Sequence, residues 1–410
     1  MTKNKKQPPS RRVVITGLGV ISSIGIGWQT FWENLLAGKA GIRKISLFDT
    51  SAYDRHYAGE VSGFEPEKFI RKNKLKFLPR ASKFAIAASK LAVKDAGLTL
   101  AELKNLKMGV CVGTTMGEIQ VAEQFVKHSI KKTQSITYAK RILYYPYNVI
   151  PINVAHELKL AGHNLLFGNA CAAGNYSIGY ALDLISSGRA DYILAGGSDA
   201  LSRVAFTGFG RMFAMAERRC QPFDKDRQGM MLGEGSGMLV LESLESAQKR
   251  KAKVYAEVLG YGLSCNAQHM TIPSTNGASN AIEKAIKNAG IQKSKVDYIS
   301  AHGTATKEND GVESEAFNRV FGNDMKNIPV SSIKSMLGHT MGAASALEAI
   351  ACCLAIQDNK IPPTINLENQ DPECKIDCVP NKSREKEVSL VLNNAQAFGG
   401  NNACVVFREV

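Results

Sequence analysis

Short β-branched runs ending in glycine recur along this chain, and Ala-rich stretches with apolar residues at helical spacing stand between them. Arg11–Gly17 (RRVVITG) reads as a buried strand followed by a turn. Lys83–Gly97 (KFAIAASKLAVKDAG) reads as a helix stopped by its glycine. The alternation runs on through Met108–Gly113 (strand), Asn175–Gly188 (helix), Asp191–Gly197 (strand), Met238–Leu241 (strand), Glu242–Lys249 (helix) and Val254–Gly262 (strand). It resumes with Ala278–Gly290 (helix), Val296–Ala301 (strand) and Met341–Ile356 (helix), and closes on strands at Ser389–Asn393 and Cys404–Arg408 around a Gly/Asn-rich turn. Such alternation predicts an α/β class with helices packed on sheets. At 410 residues the chain exceeds one ordinary core, so two packed halves or one large domain are expected. The two halves share an element order, a hint of duplication, and no Pro/Ser/Gly linker divides them.

Composition narrows the function. No apolar run approaches the roughly 20 residues that span a bilayer. The basic start, MTKNKKQPPSRR, has no apolar stretch after it, so residues 1–10 read as a disordered lead-in and the cytoplasm is the expected location. Nine scattered cysteines include no CxxC pair, which argues against a zinc site or a disulfide framework. The net charge of +14 is compatible with plain solubility or with an acidic partner. No nucleic-acid-binding motif accompanies it.

One cysteine differs from the rest. Gly168-Asn169-Ala170-Cys171-Ala172-Ala173-Gly174 surrounds Cys171 with small residues just before a helix, where free N–H groups and the helix dipole favour a thiolate. The small neighbours would let a substrate carbonyl approach the sulfur. A core cysteine in a tight turn reads equally well from this segment alone. His302 follows a buried strand, where the active-site residues of α/β proteins emerge. His339 precedes the Ala-rich helix, a position that favours a neutral ring able to donate a hydrogen bond. Lys334 lies in the serine-rich segment Ser331–Ser335.

Taken together, these segments resemble the elongating β-ketoacyl-acyl-carrier-protein synthases, condensing enzymes of the thiolase fold. The resemblance runs from Arg11 to Arg408. It is carried by VVITGLG at 13–19, the Cys171 segment, PFDKDRQG at 222–229, GEGSGMLVLE at 233–242, AHGTAT at 301–306, SSIKSMLGHTMGAASALEA at 331–349, PPTINLE at 362–368 and FGGNN at 398–402. It implies a thiolase-like α/β fold of two pseudo-duplicated halves, layered α-β-α-β-α. Residues 11–253 would carry the nucleophile and 254–410 the two histidines. Cys171 would take the acyl group as a thioester. His302 and His339 would bind the malonyl carbonyl and stabilise the enolate left by decarboxylation. The N–H groups of Cys171 and Phe398 would form the oxyanion hole, and Lys334, paired with Glu348, would organise the site. Thr304 and Thr306 would touch the pantetheine, and Thr271, Met116, Phe209, Gln396 and Phe398 complete the implied substrate-binding set, Met116 at the end of the acyl pocket. No metal or bound cofactor is implied, because the carrier supplies the phosphopantetheine. The implied partners are an acidic acyl carrier protein and a second subunit, either another copy or a chain-length-factor-like chain, with no nucleic acid and no membrane. Two histidines, and not a His-Asn pair or a second cysteine, point to elongation. The Cys171 thiol separates the chain from the non-catalytic chain-length subunit, which is the alternative of another class.

The chain departs from the family around Phe398. Where elongating fatty-acid synthases typically read NSFGFGGTN, residues 394–402 read NAQAFGGNN. Gln396 replaces an aromatic and Ala397 a glycine. Alanine resists φ values that glycine permits, so a change in loop mobility is expected. A polar Gln near the acyl channel suits an oxygenated or otherwise unusual acyl group, although simple loop drift accounts for it equally. Residues 265–271 and 371–380 look more like ketosynthase subunits of type II polyketide systems. The reading therefore favours polyketide or polyene assembly, with fatty-acid elongation as the alternative. Lys72, Lys74 and Lys76 are the candidates for carrier docking, followed by Lys127, Lys131 and Lys132.

Overall fold

The computed structural model describes residues 11–131 and 140–410. The lead-in at 1–10 and Lys132 lie outside the described residues. Ten strands carry the fold. Five lie in the first half: β1 (Val13–Ser22), β2 (Gly109–Gly113), β3 (Asn164–Phe167), β4 (Tyr192–Asp199) and β5 (Gly235–Ser243). Five lie in the second: β6 (Ala256–Cys265), β7 (Tyr298–Ser300), β8 (Val330–Ser331), β9 (Leu390–Gln396) and β10 (Asn401–Arg408).

The first half is ordered β3-β2-β4-β5-β1 and the second β8-β7-β9-β10-β6. Each strand of the first half is matched by the strand five numbers later. The pairing directions also repeat: β2 is parallel to β3 and β4, and β5 is antiparallel to β4 and β1. Likewise β7 is parallel to β8 and β9, and β10 is antiparallel to β9 and β6. The two half-sheets meet where β1 pairs with β6, at Val14↔Glu257 and Ile15↔Ala256.

Helices complete five layers. Helix α1 (Arg80–Asp95) and α2 (Val149–Leu158) cover the outer face of the first half-sheet. Helix α3 (Ala173–Ser186) and α6 (Ala344–Asp358) lie between the half-sheets. Helices α4 (Thr275–Ala289) and α5 (Lys307–Phe321) cover the outer face of the second. This is the α-β-α-β-α arrangement expected of the thiolase-like class. With the turn before it, α6 is long and apolar enough to cross a membrane by length and composition, but 89% of that stretch is buried. Its all-round apolarity is that of a helix with a sheet on both sides.

One element differs instructively from its sequence reading. Gly17 was read as a turn, yet β1 runs through it to Ser22. A Cβ at Gly17 would lie 2.2 Å from Ala92 O, and one at Gly19 would lie 1.9 Å from Ala88 O. These glycines let α1 seat directly on the strand backbone.

Candidate active site

Cys171 and His339 hold equivalent places in the two halves. Cys171 follows β3 at the entry to α3, and His339 follows β8 at the entry to α6. The entry turns of these two inner helices touch. A Cβ on Gly174 would sit 2.7 Å from Ala346 N and 2.8 Å from Ser345 Oγ. The Ser345 hydroxyl donates to Cys171 O at 3.3 Å and accepts the Asn175 N–H at 3.1 Å. Gly174 is therefore small so that the helices can cross. Ala170, immediately before the nucleophile, is held at φ 47°. A left-handed non-glycine residue at such a turn is strain that the surrounding packing must support.

The Cys171 sulfur and one ring nitrogen from each of His302 and His339 lie within 4.8 Å of one another. The two imidazoles meet edge to face, with centroids 5.4 Å apart. His339 Nδ1 accepts the Met341 N–H at 3.1 Å, so in the neutral ring the proton sits on Nε2. That Nε2 is buried without a partner among the described residues. Its backbone is pinned by an N–H bond to Met231 O at 2.6 Å and by accepting the Gly233 N–H at 2.9 Å. His302 is held through its backbone, whose N–H donates to Glu313 Oε1 at 2.7 Å. The same carboxylate takes the Gly303 N–H and the Asn394 side-chain amide.

Burial, then the nearby Lys334 charge, pushes both histidines well below the ordinary imidazole range, and His339 adds to the effect on His302. Both rings are therefore neutral donors or acceptors across physiological pH. Burial likewise pushes the Cys171 thiol up to about 12, against the pull of Lys334 and of the Cys171 and Phe398 amides. The helix N-terminus that favours a thiolate is therefore opposed by desolvation of the buried sulfur. The two amides that act on the sulfur belong to the residues expected to form the oxyanion hole. Lys334 begins a one-turn helix, Lys334–Leu337, and its Nζ donates to Glu348 Oε1.

Cys171, His302 and His339 open into a cavity of about 380 Å³ that also meets Thr271, Thr304, Thr306, Phe209, Gln396 and Phe398. The sequence matches the domain described as beta-ketoacyl synthase, N-terminal domain, over residues 10–247, and the corresponding C-terminal domain over residues 255–368. The chain belongs to the β-ketoacyl synthase family. It is accordingly an acyltransferase of the 3-oxoacyl-[acyl-carrier-protein] synthase class.

Among curated relatives it is 40% identical to 3-oxoacyl-[acyl-carrier-protein] synthase 2 of Synechocystis sp., covering 97% of this chain and 98% of that one. Among solved structures it resembles the ishigamide ketosynthase/chain length factor, with 45% identity, a TM-score of 0.94, and 98% and 100% of the two chains covered. It also resembles a type II polyketide synthase acyl-carrier protein in complex with its ketosynthase, with 33% identity, a TM-score of 0.89 and the same coverage.

The other expected positions distribute unevenly around this β-ketoacyl synthase site. Phe209 and Phe398 pack ring to ring at 5.8 Å. Met116 is packed in their apolar cluster and is not a wall of the cavity. Thr304 and Thr306 hydroxyls bond to each other at 3.0 Å. Ala397 stands at φ −143°, comfortable for alanine, while Gly399 and Gly400 take the left-handed values of 79° and 77°. The substitution therefore leaves this conformation unstrained. Lys72 and Lys76 are exposed, as are Lys127 and Lys131. Lys74 instead pairs with the half-buried Glu157 at 2.9 Å, which also takes Lys90, so its charge is largely spent within the fold.

Two positioning residues escaped the sequence reading. One is Glu313, described above. The other is Asp199, which accepts N–H groups from Thr115, Met116 and Gly342 at 2.7 to 2.9 Å and so ties the end of β4 to the turn after His339. Burial raises its carboxyl to about 6. A buried acid among loop amides leaves no local pattern in sequence.

The neutral histidines have a measurable consequence. Both pKa values are depressed, so both rings stay unprotonated as pH falls through about 6.5, the ordinary value. In protein with ¹³C-labelled histidine, the His302 and His339 signals are expected to keep neutral-ring shifts down through pH 6, assigned by loss in His302→Ala and His339→Ala. Midpoints at the ordinary value would contradict the assignment. Reading the rings directly separates them from Asp199, whose carboxyl burial raises to about 6.

Proposed function

We propose that the protein extends a carrier-bound acyl chain by decarboxylative Claisen condensation, in a type II polyketide or polyene pathway. The observation that carries the reaction is the meeting of one thiol with two neutral imidazoles and two backbone amides. In acyl transfer, Cys171 Sγ attacks the carrier thioester. The Cys171–acyl bond forms, the carrier's C–S bond breaks, and the cysteine proton passes through a neutral imidazole to the departing carrier thiol. Malonyl-carrier then binds with its thioester carbonyl toward the two rings. Its carboxylate leaves as CO2, and the electron pair becomes an enolate held by the ring N–H of His339 and by His302. The enolate carbon attacks the acyl-Cys171 carbonyl. The oxyanion is held by the Cys171 and Phe398 N–H groups, and collapse expels the Cys171 sulfur, which is reprotonated as the β-ketoacyl-carrier leaves.

The pathway reading is supported by the likeness to the ishigamide ketosynthase/chain length factor. Fatty-acid elongation is the second reading, favoured by the curated relatives. A second subunit, Lys72 and Lys76 as the docking cations for an acidic carrier, and a cytoplasmic setting go with either. The test is intact-mass analysis after incubation with acyl-carriers of several types and then malonyl-carrier. An adduct on Cys171 that clears to a longer carrier-bound ketone is expected, with oxygenated or unsaturated donors preferred. A preference for saturated donors alone overturns the pathway reading, and no adduct with any donor overturns the reaction. The docking part predicts carrier affinity that falls with salt and in Lys72→Glu; salt-independent binding would sink it.

A further inference from the structure

Gln396 is 3% exposed, and neither its Nε2 nor its Oε1 has a hydrogen-bond partner among the described residues. A buried carboxamide unpaired at both ends is costly, and the surrounding fold does nothing to satisfy it. The residue lines the cavity that holds Cys171, His302 and His339. Its direction follows from the alternation of side chains along β9. Asn393 points to the inner layer, donating to Asn175 Oδ1 and Ser345 O. Asn394 points the other way, to Glu313 beneath the His302 loop. Gln396, two residues on, shares the Asn394 side. It therefore lies on the side of β9 that carries Glu313 and the His302 loop, and it lines one cavity with Thr304, Thr306 and Asn309.

The partner must bring both a donor and an acceptor. An alkyl chain brings neither, and a carboxylate brings acceptors only. A secondary amide brings one of each. The pantetheine arm that delivers every substrate in the proposed reaction carries a secondary amide two methylenes from its thioester sulfur. The Thr304–Thr306 bond uses one of the two hydroxyl protons, and Gln396 is the buried carboxamide of this cavity with both ends open. We propose that Gln396 is a positioning residue that takes up this amide and so sets how deeply the thioester reaches toward Cys171 and the histidines. The inference rests on the carrier-dependent condensation above.

The experiment is a cycle between protein and substrate. Wild type and Gln396→Met, a nearly isosteric change, are loaded with acyl groups on Cys171. Each is then given malonyl-N-acetylcysteamine or a malonyl thioester in which the amide is replaced by methylenes. In wild type the amide-bearing thioester is expected to have about ten-fold higher kcat/KM, falling to about two-fold or less in Gln396→Met. An equal advantage in both proteins overturns the inference. So does a variant that keeps the advantage but loses discrimination between oxygenated and saturated acyl groups, which would make Gln396 a reader of the acyl chain. The melting temperature of Gln396→Met is expected at or above that of wild type, because an unpaired amide has been removed. A clear drop would mean the amide has a partner within the fold and would also overturn the proposal. If wild type forms no ketone from intact carrier substrates, the condensing reading itself falls, and the inference with it.

Discussion

Replacing Cys171 by Ala is expected to lower acyl transfer and condensation by at least about a thousandfold, because no other group in the cavity can carry the acyl thioester. The change removes one buried sulfur and leaves the Ala170 turn, the α3 entry and both imidazoles in place. Decarboxylation needs only a bound malonyl thioester and donors aimed at its carbonyl. CO2 release from malonyl-carrier should therefore persist within about an order of magnitude of wild type. The two assays run on the same samples: loss of the acyl adduct by mass, and retained malonyl-to-acetyl conversion on the carrier. Condensation that survives the substitution would assign the chain to a non-catalytic role beside a working partner. CO2 release that vanishes with it would mean the histidines do not act independently of the thiol.

The second large effect is at Lys334. Its side chain is 1% exposed and that of Glu348 is 2% exposed, and the two are bonded to each other. Removing one partner strands a buried charge, so Lys334→Met is expected to destabilise the protein by about 3–5 kcal/mol, while Lys334→Met with Glu348→Met together restores much of the loss. Burial already pushes the Glu348 carboxyl up, against the pull of Lys334. Without Lys334 that carboxyl is protonated more readily in the folded state than in the unfolded one. A folded-state pKa raised in this way makes the variant lose less stability at pH 5 than at pH 8. Denaturant melts at the two pH values check the sign. The Lys334 charge also helps hold His302 and His339 neutral and draws the Cys171 thiol down. In the double variant the histidine signals should thus titrate at higher pH, even where stability is recovered. Unchanged titration would confine Lys334 to a packing role.

Cys171, His302, His339 and Lys334 were legible because each sits in a short contiguous motif at the end of a strand or the start of a helix, and local chain direction is what a motif encodes. The α/β class was legible for the same reason, since periodicity is a property of neighbours in sequence. Glu313 and Asp199 were not. Asp199 meets Gly342 across 143 residues, and Glu313 meets Asn394 across 81, so nothing near either residue announces its partner. The exact repeat of strand order became visible only once pairing was known, because element order alone does not say which strands lie side by side. Tertiary structure also bears on two local arguments. The dipole that favours a Cys171 thiolate is a near-neighbour effect, whereas the desolvation that opposes it comes from residues packed in from both halves. Gln396 could be seen as out of place from sequence, but that its amide is sealed without a partner on the His302 side of β9 depends on every element that closes around it. What sequence determined here was chemistry and local geometry. Burial, and with it the protonation of the site and the direction of its unpaired amide, was decided only by the fold, because desolvation is a sum over neighbours that the linear chain does not bring together.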